Sequence, residues 1–155
     1  MPNPSTAVRN IELSLQTVIM SLIDTQHGFQ KLGESLKNEI LKTYFLEESL
    51  KRAEFRGQLE TVLHQEGMHD ISEAGSVTGA ILSFWTNLQA KMHESDHALL
   101  ITAEQAEVDT IQAYMEAQDR ILPLPIRQLL TSQAAHVETS LDYVRAARDG
   151  SKKLS

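Results

Sequence analysis

Ile11, Leu15, Val18, Leu22, Thr25, Phe29, Leu32 and Leu36 recur at alternating steps of four and three residues. A helix brings that spacing onto one face, because about 3.6 residues complete a turn. The seam is apolar except at Thr25, and it is the pattern by which helices pack side by side. A second seam follows in Leu41, Phe45, Glu48, Arg52, Phe55, Leu59 and Val62. It ends near Gly67, a residue suited to closing a helix. A third seam is read as His97, Ile101, Glu104, Val108, Ile111, Met115, Gln118 and Leu122. "LPLP" stops it, and Pro125 suits the first turn of the next helix. The fourth seam, Ile126, Leu130, Gln133, Val137, Leu141 and Val144, closes near Gly150. No alternation of strand type appears.

The link "LGESLKN" is short, so the first two helices are expected to form an antiparallel hairpin. Between the two hairpins lies "MHDISEAGSVTGAILSFWTNLQAKMHESD". Ser76 could cap a shorter helix there, carrying Val77, Ala80, Ile81, Phe84, Trp85, Leu88 and Met92. The segment is long enough to run from end to end of a bundle. Two hairpins joined by one long crossover is ferritin-like connectivity. The expected architecture is an all-α, single domain over residues 1–155, with helices at about 6–36, 39–66, 76–93, 96–122 and 125–149.

Composition narrows the function classes. A hydrophobic content of 41% supports a core, while 7 Gly and 4 Pro leave room for few turns. The absence of Cys excludes disulfide and thiol chemistry and fits a reducing, cytoplasmic setting. "MPNPSTAVRN" lacks the charged-then-apolar layout of a signal peptide. No apolar run approaches the ~18 residues of a membrane span. The net charge of −7 argues against nucleic-acid binding, and the one basic cluster, "SKKLS", reads as a solvated end.

Four stretches carry a resemblance: "FRGQLETVLHQEG", "GSVTGAILSFWTNL", "EQAEVDTIQAYMEA" and "LPLPIRQLLTSQAAHVETSLDYVRAARD". With Glu107 seven residues before Tyr114, they are similar to a family of bacterial ferritin-like four-helix-bundle proteins of unknown function. The resemblance covers nearly the whole chain. It implies the fold and self-association, and no activity.

A di-iron centre in such a frame draws one Glu from each of two helices and a Glu-x-x-His pair from each of the other two. The metals need several anionic oxygens, and the i, i+3 spacing sets Glu and His on one face. Here the second helix offers Arg52 and Phe55 at its pair, a cation and a hydrocarbon. The fourth offers Gln133 and His136, and the first Asp24 or Thr25. Glu107 alone, with Glu104 beside it, keeps ligand character. The candidate metal residues are therefore Glu48, Glu104, Glu107 and His136, and no metal or other cofactor is expected. Glu48 and Arg52, spaced i, i+4 with the acid first, instead suit an ion pair. A buried polar layer is expected from Thr25, Glu48, Arg52, Glu104, Glu107 and Gln133, with Tyr114 or Gln133 supplying hydrogen bonds.

His93 and His97 have metal-binding spacing, but Ser95 and Asp96 between them look like helix-capping residues, so a solvated loop is expected. His64 and His69 flank Gly67, and His27 reads as a packed or surface residue. No Ser-His-Asp order, Cys nucleophile or phosphate-binding glycine loop is present. Gly28 and Gly33 inside the first helix point to a close neighbour or a bend. Phe84 and Trp85 read as residues that cover the bundle or meet a second subunit. The functional expectation is a non-enzymatic structural, interaction or stress-related module with a degenerate metal site, forming a homo-oligomer, a dimer or higher, through helical faces. The alternative is an iron-binding or di-iron redox (ferroxidase-like) protein using the reduced carboxylate/His set.

Overall fold

In a computed structural model, residues 4–68, 71 and 83–152 are described, and among them are five helices and no strand. They are α1 (Pro4–Ser35), α2 (Glu39–Gln65), α3 (Ser83–Ala90), α4 (Asp96–Gln118) and α5 (Leu124–Lys152). Asn38 caps α2, its side-chain oxygen accepting the Leu41 amide at 3.0 Å, and Ser95 caps α4 through the Ala98 amide. Gly67 follows α2 with φ 81, and the Met68 amide returns to the Leu63 carbonyl. That is the left-handed closure for which glycine is suited. The expected cap at Ser76, with Val77, Ala80 and Ile81, lies outside the described residues, as does His69.

Cross-helix bonds fix the directions. Ser49 of α2 donates to the Gln26 carbonyl of α1, and Lys42 to that of Glu34, so α1 and α2 run antiparallel. Tyr114 meets Gln133, and Glu104 meets Arg145, so α4 and α5 do too. Tyr44 meets Ser140 and Gln133 reaches the Phe55 carbonyl, which sets α2 against α5. Arg120, just past α4, reaches Ser14 of α1, while Asp96 at the start of α4 holds the amides of Lys37 and Asn38. Each long helix thus packs against two antiparallel long neighbours, and α3 lies on α1 and α4. α2 and α4 are parallel and diagonal.

The core has two apolar halves. One gathers Leu15, Leu22, Leu59, Leu63, Ile126 and Val137, and the other Phe29, Leu32, Phe45, Leu88, Leu100 and Val144. The seams of α1, α2 and α5 face inward as read from sequence, with Ile11, Leu41 and Val62 only partly covered. The third seam does not. Ile101, Val108 and Met115 are exposed, and the inward line of α4 is Leu100, Ala103, Glu107, Thr110, Tyr114 and Ala117. The cause is volume. Ala103, Ala106, Thr110, Ala113 and Ala117 interrupt the inner face with small side chains, so the bulkier apolar line two residues away masks it in a hydropathy reading.

Two glycines mark close approach rather than bends. A Cβ on Gly28 would collide with the ring of Phe84 from α3, and one on Gly33 would sit 2.6 Å from Cγ of Leu46. Gly57 on α2 has nothing near it. Gly28→Ala should therefore destabilise the fold by about 1–3 kcal/mol through overpacking. Gly57→Ala should stabilise it by up to about 1 kcal/mol through helix propensity. Urea denaturation of the two variants tests this, and opposite signs are the expected result.

Candidate functional site

The buried polar layer sits between the two core halves. Arg52 is 0% exposed, as is Glu107, and Glu48 is 5% exposed. The guanidinium grips Glu107 with two parallel bonds, Nη1 to Oε1 at 2.8 Å and Nη2 to Oε2 at 2.7 Å. Its Nε donates to Glu48 Oε1 at 3.0 Å, and Nη2 lies 3.0 Å from the same oxygen. This planar, two-point fit is what distinguishes arginine from lysine at carboxylates. The ring of Phe29 lies against the cation, 5.0 Å from Cζ to centroid. Burial alone would push the arginine toward losing its proton. The charges and hydrogen bonds of Glu107 and then Glu48 outweigh that and hold its pKa above the ordinary value.

His136 completes the cluster from α5. Its Nε2–H donates to Glu48 Oε1 at 2.7 Å, and its ring stands nearly perpendicular to that of Phe55, 5.1 Å between centroids. The histidine is about one third exposed, so the layer reaches solvent there. Two carboxylates face one guanidinium, and a proton on His136 would balance the second. Tyr44 flanks the cluster, donating to Ser140 Oγ at 2.8 Å and stacking on Tyr143 at 3.8 Å.

The other expected members are placed differently. Thr25 is buried, but its hydroxyl returns to the carbonyls of Ser21 and Leu22 on its own helix. Gln133 is buried one step along the axis. It accepts from Tyr114 at 2.8 Å and donates to the Phe55 carbonyl at 3.0 Å, so this pair serves each other and not the charges. Glu104 is not part of the layer. It lies at the α4–α5 rim, bonded to Arg145 and Arg148, because its position on α4 turns away from the inner face. Asp24, weighed as a ligand, instead accepts the amides of Phe84 at 2.9 Å and Trp85 at 3.1 Å. Burial pushes its pKa up, partly offset by those two amides. His97 is in the first turn of α4, not in a loop, and its Nδ1 meets the Arg148 carbonyl at 3.0 Å. Sequence reading missed Ser140 and Tyr44 as neighbours of the layer. No motif spacing links residues 96 positions apart.

The donor set does not fit a metal pair. The positions that would supply a Glu-x-x-His couple on α2 hold Arg52 and Phe55, and the arginine occupies both oxygens of Glu107. Among the described residues, no group of three or more His, Asp or Glu side chains is arranged to hold a metal ion. The cluster is self-satisfied, and no buried side-chain nitrogen or oxygen among the described residues lacks a partner.

Arg52→Met should cost about 3–5 kcal/mol, because it strands two buried carboxylates. Adding Glu107→Leu and Glu48→Gln should recover most of that loss in thermal denaturation, since well-packed apolar replacements of buried ion networks are often neutral or stabilising. A second outcome concerns alkaline pH. Burial pushes Tyr44 up to about 12 and Tyr114 above its usual value. The native state then holds these protons more tightly than the unfolded chain. The stability this provides is complete below about pH 10, and it is lost for Tyr44 as pH rises toward about 12. Two of the three tyrosines should accordingly ionise only as helix is lost, in parallel absorbance and circular-dichroism titrations. Full ionisation near pH 10 with intact helix would contradict the burial.

Comparison with known proteins gives one match. The protein-family model described as Domain of unknown function (DUF2383) matches residues 10–120, well over half of the chain. No curated protein and no solved structure matches.

Proposed function

The chain belongs to that domain family of unknown function, and from this premise we propose that it is a non-enzymatic ferritin-like four-helix bundle serving as a structural or interaction module. Its interior has exchanged a metal centre for an internal ion cluster. The frame is supported by the two antiparallel hairpins, the parallel diagonal of α2 and α4 and the long connection between them. The observation that carries the reading is Arg52. It is wholly buried, it spans from α2 to Glu107 of α4, and it supplies the positive charge that the carboxylates require.

Chemically, the cluster neutralises charge and fixes geometry. Both oxygens of Glu107 are engaged, and the guanidinium stays protonated under all ordinary conditions. A proton acceptor at this site would have to be Glu48 or His136, which already bond to each other. Nothing in the arrangement presents an activated nucleophile. No described helix is long and apolar enough to cross a membrane.

Elemental analysis of purified chain, followed by anaerobic titration with ferrous iron, tests the proposal. Less than one tenth of an equivalent of bound iron and no iron-dependent oxygen uptake is the expected result. Stoichiometric iron with oxygen consumption would overturn it in favour of an iron-handling protein using Glu48, Glu107 and His136.

A further inference from the structure

α4 is built inside out. Ala103, Thr110 and Ala117 lie on its buried face together with Leu100, Glu107 and Tyr114, while Ile101, Val108 and Met115 stand two residues, or about 200°, beyond the first three and face solvent. Their exposures are 46%, 36% and 53%. Isolated surface apolar residues are ordinary, but Ile101, Val108 and Met115 recur at intervals of seven along one face, about 10.5 Å apart. Partly covered Ile111 completes the three-four rhythm from Val108 to Met115 that another helix reads as knobs and holes, while Glu104 holds the corresponding place between Ile101 and Val108.

Charge narrows the partner. Within Asp96–Gln118 there are five acids and no Lys or Arg. Glu107 is committed to Arg52, Glu104 to Arg145 and Arg148, and Asp96 to the α1–α2 turn. Asp109 and Glu116 remain exposed on one flank of the stripe, with bonds from the neutral amides of Gln105 and Gln112. A second copy packed antiparallel on this face would bring the same acids against one another. One helix laid along the roughly 34 Å of α4 fits the shape of this face.

We infer that the outer face of α4 is a docking surface for a basic amphipathic helix, whose apolar seam covers Ile101, Val108 and Met115 and whose lysines or arginines meet Asp109 and Glu116. This is helix-on-helix recognition, with apolar anchors spaced by turns and charge setting the choice of partner. The surface stands apart from the buried ion cluster, so finding iron in the interior would overturn the proposed function and leave this surface untouched.

The test uses the full chain and a fluorescent three-heptad model peptide with leucines at the seam and lysines on the flanks. Controls are a scrambled peptide of the same composition and one flanked by glutamates. Fluorescence anisotropy should show the seam peptide binding at least about ten-fold more tightly than either control. Val108→Asp or Met115→Lys should each weaken binding about ten-fold with helix content unchanged. Asp109→Asn with Glu116→Gln should weaken it several-fold and flatten its salt dependence, as expected when ion pairs are removed. Equal binding of the scrambled peptide overturns the inference, as does binding indifferent to both seam variants. Light scattering that shows a dimer abolished by Val108→Asp also overturns it, by assigning the face to a second copy.

Discussion

The grip of Arg52 on Glu107 is the contact around which this molecule is arranged. α2 and α4 stand diagonally and their backbones do not approach closely, so a long side chain must cross the interior to join them. A forked bond between planar groups tolerates little displacement in any direction. It therefore sets the axial register of one hairpin against the other, which apolar packing alone does weakly. A leucine seam slides at modest cost, whereas a displaced guanidinium leaves charges without partners in a dry interior. The layer's net stabilisation is small by the same reasoning. Its contribution is to make one alignment far better than the rest, the role attested for single polar residues in helical assemblies.

Much of this was legible in the chain. Three of four seams could be read because large apolar residues mark the inner faces of α1, α2 and α5. Glu48 and Arg52 announced themselves by breaking such a stripe at helical spacing. α4 was misread because its inner face carries alanine, threonine, glutamate and tyrosine, while isoleucine, valine and methionine lie outside. Hydropathy weighs bulk, and at this helix bulk points the wrong way. Glu104 was drawn into the layer by that shift of face. His136 could be nominated as a ligand, but its bond to Glu48 depends on how α2 and α5 are staggered, which no local pattern encodes. The pairing of Tyr114 with Gln133, instead of with the charges, has the same origin.

The small residues of α4 and the glycines of α1 share a cause. Where Ala103, Ala106, Ala113 and Ala117 face inward, neighbours have room to pack against the backbone, and Gly28 does the same for Phe84. α4 still supplies Leu99, Leu100 and Tyr114 to the interior, but its alanines leave room there for side chains from the other helices. Ile101, Val108 and Met115 stand on the outer surface of the same helix, so the packing of the core and the presentation of the exterior meet on α4.

Asp24 makes one helix depend on another. An eight-residue helix has little persistence in water, because nucleating it fixes many torsions for few bonds. The amides of Phe84 and Trp85 at the start of α3 find their acceptor on α1, not on the preceding residue. The short helix therefore gains its cap only once α1 stands beside it, and Phe84 finds its berth only above Gly28. α3 is thus a latch whose catch is α1, held by a carboxylate at its first amides and by the space that a glycine leaves for Phe84.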